Sequence, residues 1–588
     1  MINLNIKNYG THEFNKGITT KEVMLAVAPE LKKTIFLGKL NGEWVGMDEQ
    51  INESGDFKFR FDTNSGCSWN SANDVAAKSL FQYLKDNGMA DELIEIEVSE
   101  DGFDVSFTSE KNISANQLDL INGKVLKLMS KSATVDSPLE TRWVKFMKLR
   151  SVSGLTTTDK NANKISGLAA MSKEALETNL EKIEDRESRD HRRIGKKLEL
   201  FTIDQTIGKG LPVWLPNGVI LKRQIKEFLQ KLEFKFGYQE LETPIIGSSE
   251  LYKTSGHYYH YKDSMYPEMI NKENEHMMLR PMSCPHHCMV YKTSPKSYRD
   301  LPVRYSEQVK QFRYESSGAL IGLERVRAME LTDSHIFLTE DQLEKEISSA
   351  FEIIKIALKK FDIEISYIEL ALFDPADKEK YHGDIKFWET SQDILRNFLD
   401  TNNIEYKSMI GEAAFYGPKI DVQIKTALGH TITVSTIQLD FLLPEKFDLL
   451  YKDSNGEQRR PIMIHKGLIG TYERFISVLL EQTKGNLPMW LSPKQVVILP
   501  VSNEHHLEYA TSINEVLLEN NIRSSIDSSD ERLSFKIRKH QTAKTSIEVI
   551  IGDKEIESKT VTFRRHGAED SSTVTMEEFT NLILEEIK

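Results

Sequence analysis

The first sixty residues alternate apolar and polar positions at the periods of short strands and one helix. The stretch MINLNIKN alternates as a strand does, and TTKEVMLAVAPELKK has the spacing of a short helix. TIFLGKLNGEWVGM is typical of a hairpin, with Asn41 and Gly42 at its turn. These patterns predict a small α+β module over residues 1–62.

The next two segments differ from each other in charge and in hydrophobic periodicity. Residues 63–170 mix a helical pattern, SANDVAAKSLFQYLKDNG, with the strand patterns ELIEIEVSE and GFDVSFTSE, which predicts a second α+β module. Residues 171–200 are highly charged and have helical periodicity. We expect a connecting helix there, with the charge run forming a solvated face.

From residue 201 onward, longer apolar strands alternate with helices. YQELETPII and TITVSTIQLDF predict strands and GVILKRQIKEFLQKLEFKFG predicts a helix, and the prolines of LPMWLSP mark a boundary at 487–493. Residues 491–588 alternate strand and helix as KQVVILPVS, LEYATSINEVLLENN, IRSSID, LSFKIRKHQTAK and SIEVIIGD. This order predicts a small α/β domain with a largely parallel sheet. The expected fold class is therefore multidomain, α/β and α+β.

Composition narrows the class of protein. The 588 residues suffice for about three or four domains, and 39% apolar with 28% charged residues is typical of a globular chain. We see no membrane-spanning run and no secretory signal at the start. Three cysteines, Cys67, Cys284 and Cys288, cannot form a disulfide framework, so we expect a cytoplasmic, reducing setting. The net charge of −13 argues against nucleic acid only weakly, because a local basic face can still bind phosphates.

Two of the three cysteines lie beside histidines in LRPMSCPHHCMVY. Cys284 and Cys288 are four residues apart, with His286 and His287 between them. Metal binding, redox pairing and simple packing all remain open from this cluster alone, because a four-ligand structural zinc site needs a second pair of ligands.

A pair of arginine-rich segments follows downstream. In QFRYESSGALIGLERVRAMELTDSHIF we expect Arg313 and Glu315 on one strand face and Arg325 and Arg327 on a returning strand. Arginines that face a common pocket suggest a polyphosphate ligand, since guanidinium groups match phosphate oxygens. Surface ion pairs are the alternative.

The segment PIMIHKGLIGTYERFISVLLEQ predicts a buried strand followed by a helix. His465 is expected at the strand end and Arg474 on the helix. A lone histidine beside an apolar strand is structural or catalytic, and the pattern does not decide between them.

Together these segments resemble the signature motifs of class II aminoacyl-tRNA synthetases, and within that class they are similar to the threonyl-tRNA synthetase family. The resemblance rests on YQELETPII, LRPMSCPHH, SYRDLPVRYSE, ESSGALIGLERVR, TDSHIF, GEAAFYGPKID, TIQLDF and IMIHKGLIGTYERF. It implies a TGS-like ubiquitin-fold module at 1–62, an antiparallel-sheet catalytic domain at 201–490 and an α/β anticodon-binding domain at 491–588.

The resemblance also implies ligands and substrates. Family members hold one zinc ion per subunit, and the matching ligands here are Cys284, His335 and His465. Three protein ligands leave a position for the amino and hydroxyl groups of threonine, which valine cannot fill. Asp333 matches the carboxylate that receives the hydroxyl hydrogen. Tyr416 and Gln438 match other residues of the amino-acid pocket.

For ATP with Mg²⁺, the resemblance assigns Arg313 to the α-phosphate, Arg325 and Arg474 to the outer phosphates, and Glu315 and Met329 to adenine. Many relatives have an aromatic residue at the position of Met329. The remaining matches are His257 near the terminal ribose hydroxyl of tRNA, Lys419 in the pocket, and Glu555 and Arg564 at the anticodon, while Asp530 replaces an expected amide.

Residues 63–170 depart from the family pattern. Bacterial relatives hydrolyse mischarged seryl-tRNA with an HxxxH helix and a later cysteine–histidine segment. Here Asp74 and Lys78 occupy the histidine positions, and residues 101–170 contain neither cysteine nor histidine. We therefore expect an ion pair at the helix, a degenerate editing domain and no editing. A space-filling or acceptor-stem role is the remaining expectation for this region.

The expected protein is a homodimeric threonine-activating enzyme whose partners are tRNA(Thr), threonine and ATP, without a membrane. Three alternatives remain. A paralogue could activate an amino acid for another acceptor, a binder could recognise RNA without catalysis, and a metal hydrolase could use the histidines, although no HExxH run is present.

Overall fold

The computed structural model describes residues 1–29, 37–60, 66–99, 101–110, 113–130, 144–155, 162–378, 380–381, 385–426 and 429–587. The chain forms two compact units, Met1–Arg186 and Glu187–Lys588. The boundary between them falls inside the segment predicted to connect the modules. Within the described ranges, no helix is long and apolar enough to cross a membrane.

The first unit begins with a small mixed sheet. Its elements are β1 (Ile2–Ile6), β2 (Gly10–Phe14), β3 (Ile18–Thr19), α1 (Thr20–Val27), β4 (Leu37–Leu40), β5 (Glu43–Val45), β6 (Gln50–Ile51) and β7 (Gly55–Arg60). The strand order is β2-β1-β7-β4-β5. Asn41 and Gly42 have φ of 49° and 98°, so the predicted Asn-Gly hairpin is confirmed as a turn that needs two positive φ angles.

A four-stranded antiparallel sheet with two helices completes this unit. Its elements are α2 (Gly66–Asp86), β8 (Leu93–Ser99), β9 (Gly102–Thr108), α3 (Leu118–Ser130), β10 (Phe146–Leu155) and β11 (Ala162–Ala170), in the strand order β10-β11-β9-β8. The predicted ion pair on α2 is confirmed, because Lys78 Nζ lies 3.1 Å from the Asp74 carboxylate. The predicted loss of the cysteine–histidine segment concerns residues that lie partly outside the described ranges.

The predicted connecting helix is two helices, α4 (Lys173–Arg189) and α5 (His191–Lys197). They separate at Asp190, whose backbone is not helical and whose carboxylate accepts a hydrogen bond from the Arg192 amide. An aspartate in this role begins a new helix, so the continuous helix that was expected is wrong at this residue.

The second unit contains a large mixed domain. Its first elements are β12 (Phe201–Thr202), β13 (Val213–Trp214), α6 (Pro216–Lys235), β14 (Gln239–Leu241), β15 (Ile246–Ser248), α7 (Ser249–Ser255), α8 (His257–His260), β16 (Met269–Ile270), β17 (His276–Leu279), α9 (Cys284–Lys292), β18 (Val303–Phe312) and β19 (Ala328–Leu338). They continue with α10 (Leu343–Lys360), β20 (Tyr367–Leu372), α11 (Ile385–Thr401), β21 (Tyr406–Ile410), β22 (Lys419–Lys425), β23 (Thr431–Asp440), α12 (Leu442–Lys446), β24 (Tyr451–Lys452), β25 (Gln458–Arg459), β26 (Ile462–Thr471) and α13 (Tyr472–Thr483).

Eight of these strands form one sheet in the order β14-β18-β19-β26-β23-β22-β20-β21. Its central pairs are antiparallel, as the family resemblance implied for residues 201–490. One face is covered by α6, α10 and α13, whose buried leucines and isoleucines pack against the sheet.

Two strand predictions in this domain are wrong in detail. YQELETPII is not one strand, because β14 ends at Leu241 and β15 begins at Ile246. Pro244 cannot donate to a ladder, and the amide of Thr243 donates instead to Glu307. His465 lies in the middle of β26 and not at its end. The strand is buried on both faces, so its sequence shows no alternation that would locate its end.

The arginine loop, residues 313–327, connects β18 to β19. Arg313 and Glu315 follow the end of β18, and Arg325 and Arg327 precede β19, so the prediction that these residues occupy strand faces is wrong. The ladder continues by one hydrogen bond from the Arg313 amide to the Arg327 carbonyl, and the Glu315 amide then donates back to Arg313. This reversal ends the alternation on which the prediction depended.

The chain finishes with a smaller α/β domain. Its elements are β27 (Val496–Pro500), α14 (Asn503–Glu519), β28 (Ser524–Ile526), α15 (Leu533–Thr542), β29 (Ile547–Ile551), α16 (Asp553–Ser558), β30 (Thr560–Arg565), β31 (Ser571–Thr575) and α17 (Met576–Ile587). The strand order is β28-β27-β29-β30-β31. The first three strands are parallel, as predicted, and the last two are antiparallel.

Candidate active site and metal centre

The fold brings together three potential metal ligands that are far apart in the sequence. Cys284 is the first residue of α9, His335 lies in β19, and His465 lies directly opposite it in β26. One ligand atom from each residue lies within 4.8 Å of the others, and all three side chains are buried. These are the three residues that the resemblance assigned to zinc.

The ring nitrogens of the two histidines are divided between the centre of this cluster and its surroundings. His335 Nε2 and His465 Nδ1 face each other at 3.0 Å. The opposite nitrogens have other partners, because His335 Nδ1 lies 2.8 Å from His287 Nδ1 and His465 Nε2 donates to Asp440 at 2.7 Å. Histidines that bind metals in proteins usually have their second nitrogen held in this way.

The protonation states of the cluster suit a metal cation. Burial lowers the pKa of His335 well below its ordinary value, so the ring is neutral and has a lone pair to donate. Burial raises the pKa of the Cys284 thiol well above its ordinary value, with the charge of Asp333 acting in the same direction. A nearby cation would favour the thiolate, because metal binding releases the thiol proton. One sulfur and two imidazole nitrogens are a donor set that fits Zn²⁺.

Cys288 takes no part in this cluster. It is fully buried, and its sulfur lies 3.9 Å from the sulfur of Met463. Neither Cys284 nor Cys288 is in a disulfide. Packing therefore accounts for Cys288, while the candidate metal chemistry belongs to Cys284 alone.

A buried chain of polar groups supports His335 from behind. His287 Nε2 donates to Glu307 at 3.0 Å, and Glu307 also receives hydrogen bonds from the amide and hydroxyl of Thr243. Burial opposes the ionisation of Glu307, but these hydrogen bonds and the charge of Arg280 outweigh it and lower its pKa to about 2. A permanently charged carboxylate thus anchors the chain Glu307–His287–His335.

The predicted amino-acid pocket residues lie around the same cluster. Asp333 precedes His335 by two residues on the same strand face and accepts a hydrogen bond from the Ser283 hydroxyl. The ring of Tyr416 stacks on the His465 ring with centroids 4.8 Å apart, and its hydroxyl donates to Gln438. Gln438 is paired with His465 across β23 and β26.

The remaining two residues predicted near the pocket are His257, which lies beside Cys284, and Lys419, which lies on β22. His257 Nε2 lies 3.6 Å from Cys284 Sγ, and its Nδ1 lies 2.8 Å from the Ser255 hydroxyl. Burial lowers the pKa of His257 to about 3, so this ring is neutral. Lys419 forms an ion pair with Asp421 on the same strand.

Three arginines predicted to bind phosphates lie close to one another. Burial and the charges of Arg325 and Arg313 lower the pKa of Arg474. Among the described residues, none of these three arginines has a carboxylate within 4 Å. The Arg474 Nε donates to the Glu324 carbonyl, which attaches α13 to the arginine loop. A cluster of guanidinium groups without carboxylate partners is a favourable place for a polyanion.

The predicted adenine residues lie beside these arginines. Met329 is buried and lies opposite Gln311 in the β18–β19 ladder, and strand alternation places it on the same face as Asp333. The Glu315 carbonyl accepts a hydrogen bond from the Arg327 guanidinium.

The predicted anticodon residues lie together in the last domain. Glu555 accepts hydrogen bonds from the Thr562 hydroxyl and the Gly552 amide. Arg564 lies two residues beyond Thr562 on β30 and forms an ion pair with the buried Glu548 at 3.0 Å. Asp530 is exposed. α15 carries several basic residues, but Lys536 is buried and Lys539 is paired with Asp527.

Sequence reasoning missed several residues that contact the site. His287 was named only as part of the cysteine–histidine cluster, and Ser283, Gln311 and Asp440 were not singled out. The adjacent histidines at 286 and 287 were the available signal for His287. No local pattern marks Asp440, which reaches His465 only through the pairing of β23 with β26.

Comparison with protein families identifies the class. Residues 261–483 match the class II core domain of tRNA synthetases specific for G, H, P, S and T, and residues 495–586 match an anticodon-binding domain. With the eight-stranded, largely antiparallel sheet and its arginine cluster, these matches define a class II aminoacyl-tRNA synthetase.

Individual relatives narrow the assignment further. The threonine–tRNA ligase of Oceanobacillus iheyensis is 39% identical over 98% of this chain and 97% of its own length. That of Ureaplasma parvum is 49% identical over 76% of this chain and 78% of its own length. The structure of the RNA-binding domain of threonyl-tRNA synthetase from Cryptosporidium parvum has a TM-score of 0.64 at 34% identity, covering 68% of this chain and 98% of that one. The chain belongs to the threonine–tRNA ligase family.

Proposed function

We propose that this chain attaches L-threonine to tRNA(Thr) at the expense of ATP, through a threonyl-adenylate, and that it selects threonine with a zinc ion. The observation that carries the proposal is the buried cluster of Cys284, His335 and His465 in a chain of this ligase family. The cluster offers three protein ligands, whereas zinc takes four or five, so at least one coordination position remains for a substrate.

ATP binding is assigned to the arginines of the loop and of α13. Arg313 holds the α-phosphate, and Arg325 and Arg474 hold the outer phosphates together with Mg²⁺. Burial and the repulsion between these arginines lower the pKa of Arg474, and the repulsion is relieved when a polyphosphate enters. Adenine lies near Glu315 and Met329, whose sulfur can contact the ring face.

The first chemical step joins the threonine carboxylate to the α-phosphate and releases pyrophosphate. No protein nucleophile is needed, because positioning and charge stabilisation supply the catalysis. Arg313 stabilises the negative charge that develops on the α-phosphate, since its guanidinium has no carboxylate partner among the described residues.

Threonine selection is assigned to the metal centre and the side chains around it. Cys284, His335 and His465 hold the zinc ion, which when bound supplies a Lewis-acid position for the amino and hydroxyl groups of the substrate. The Asp333 carboxylate accepts the hydroxyl hydrogen, and Tyr416 with Gln438 bounds the pocket. A purely apolar pocket would separate threonine from valine by only about 10–200-fold.

Transfer to tRNA is assigned to residues in both domains of the second unit. The neutral ring of His257 lies near the terminal ribose hydroxyl, and Lys419 completes that side of the pocket. In the last domain, Glu555 and Arg564 contact the anticodon. The side chains of both residues are partly exposed, so they are open to RNA bases.

Amino-acid-dependent ATP–pyrophosphate exchange tests the selection of threonine. We expect strong exchange with threonine, weak exchange with serine and none with valine, because only the first two have a hydroxyl. Cys284→Ala should lower kcat/KM for threonine more than about a hundredfold, since removing even an outer partner of a metal ligand costs roughly 10–100-fold. Cys288→Ala is the matched control and should retain exchange.

Exchange that is indifferent to Cys284, or that proceeds equally with valine, would contradict the zinc assignment. Absence of threonine-dependent exchange in the wild-type chain would instead favour a paralogue that activates a different amino acid.

Editing of seryl-tRNA is proposed to be absent. Asp74 and Lys78 form an ion pair where hydrolytic family members have two histidines, so α2 offers no imidazole at these positions. Serine carries a hydroxyl and therefore escapes complete exclusion by the metal centre, and we expect the enzyme to release some seryl-tRNA.

A deacylation assay with mischarged seryl-tRNA(Thr) measures this directly. The rate of serine loss in the presence of the chain should equal the spontaneous rate at the same pH. Rapid loss that depends on the amount of enzyme would show that residues 63–170 retain a hydrolytic site of another composition.

A homodimer is proposed through the edge of the large sheet. β14 is an edge strand, and the apolar residues on either side of it, Phe234, Ile245 and Ile246, are 79%, 42% and 39% exposed. A second copy of the chain would cover this edge and these residues.

Sedimentation equilibrium should give twice the mass of one chain, and Phe234→Glu should shift the measured mass toward that of the monomer. A monomeric wild-type chain at micromolar concentration would rule out this dimer.

A further inference from the structure

A buried histidine outside the metal centre joins three elements of the second unit. His191 is the first residue of α5 and is fully buried. Its Nδ1 lies 2.7 Å from the Glu481 carboxylate on α13, and its Nε2 lies 3.1 Å from the backbone amide of Leu323 in the arginine loop. Neither of these two partners of His191 is among the residues that the sequence analysis assigned to the site.

The two contacts determine the tautomer of the ring. The Leu323 amide can only donate, so Nε2 must accept, and Nδ1–H must therefore donate to Glu481. Glu481 is buried, and its second carboxylate oxygen has no hydrogen-bond partner among the residues that the structure describes. His191 is thus the side chain that connects this buried carboxylate to the loop.

The backbone of the arginine loop passes very close to the imidazole ring of His191. Gly322 has φ of +45°, and a Cβ at this position would lie 2.2 Å from His191 Nε2. Only a glycine lets the backbone approach the imidazole so closely. The side chain of Leu323 is fully buried, so the peptide that His191 contacts is anchored from both sides.

The next residue of the loop carries the contact to the phosphate-binding arginines. The Glu324 carbonyl accepts a hydrogen bond from Arg474 Nε at 3.1 Å, and Arg325 follows directly. Arg474 and Glu481 lie seven residues apart on α13, which is two turns and therefore one helix face. The loop is consequently attached to α13 at two points, by Arg474 itself and by Glu481 through His191.

We propose that His191 is a positioning residue for ATP. It holds the backbone of the arginine loop against α13 so that Arg325 and Arg474 point together at the outer phosphates. This inference rests on the proposed function, in which those two arginines bind ATP. His191 touches neither substrate, and it acts through the Leu323 amide and the Glu481 carboxylate.

His191 lies close in sequence to the boundary between the two units. The first unit ends at Arg186, and His191 lies five residues later, directly after the Asp190 cap that begins α5. The segment that leaves the first unit is therefore hydrogen-bonded to the loop that carries Arg325.

Pyrophosphate exchange with varied ATP at saturating threonine, and with varied threonine at saturating ATP, tests the proposal on the full chain. We expect His191→Gln to raise KM for ATP about tenfold, which corresponds to losing a hydrogen bond to a buried group, and to leave KM for threonine within about twofold. The amide can replace one of the two ring contacts but not both.

A second test variant makes the result independent of any single substitution, and a third variant serves as a control. Gly322→Ala pushes the ring away from the loop without altering His191, and we expect the same selective rise in KM for ATP. His540→Gln is the matched control, because His540 is also a buried histidine paired with a carboxylate, Asp527, but lies in the last domain. It should leave both KM values unchanged.

The outcomes separate the inference from the proposed function. If the folded His191→Gln and Gly322→Ala variants keep the wild-type KM for ATP, or if both KM values rise equally, His191 is a structural residue and the inference is wrong. If the wild-type chain shows no threonine-dependent exchange, the proposed function itself fails. Thermal unfolding of each variant establishes which of them are folded before the kinetics are compared.

Discussion

The antiparallel pairing of β19 with β26 places His335 directly opposite His465, and the rest of the site depends on this register. Because side chains alternate between faces, a slip of one residue would turn a histidine away from the cluster. The residues just before and after the histidines show how the register is held. Ser334 and Lys466 are paired on the opposite face, and one oxygen of the buried Glu233 accepts hydrogen bonds from both, at 2.7 and 3.0 Å.

The same two strands also arrange the charges of the site. On one face, Asp333 and His335 point toward Cys284, with His287 and Asp440 holding the outer nitrogens of the histidines. At the strand ends, the arginine loop and α13 bring guanidinium groups together without carboxylate partners among the described residues. The candidate metal ligands and the arginine cluster are therefore separated along one sheet, which suits the proposed binding of an amino acid at one end and of a polyphosphate at the other.

Local patterns in the sequence predicted most elements because their signals are local. The Asn41–Gly42 hairpin, the amphipathic α6 and the ion pair between Asp74 and Lys78 each involve residues within a few positions of one another. The candidate metal ligands are different, since His335 and His465 are 130 residues apart and no spacing rule connects them. Only the resemblance to a family brought them together. The ends of β18 and β26, and the roles of His287 and Asp440, depend on tertiary pairing and could not be predicted from periodicity.

The central claim is that one cysteine and two histidines of this chain bind zinc. X-ray absorption at the zinc edge of the purified full-length protein tests it most directly. The account predicts one zinc per chain with a single sulfur ligand at about 2.3 Å and two imidazole nitrogens at about 2.0–2.1 Å. Two sulfur ligands, which would bring Cys288 into the site, or a protein that retains no zinc, would contradict it.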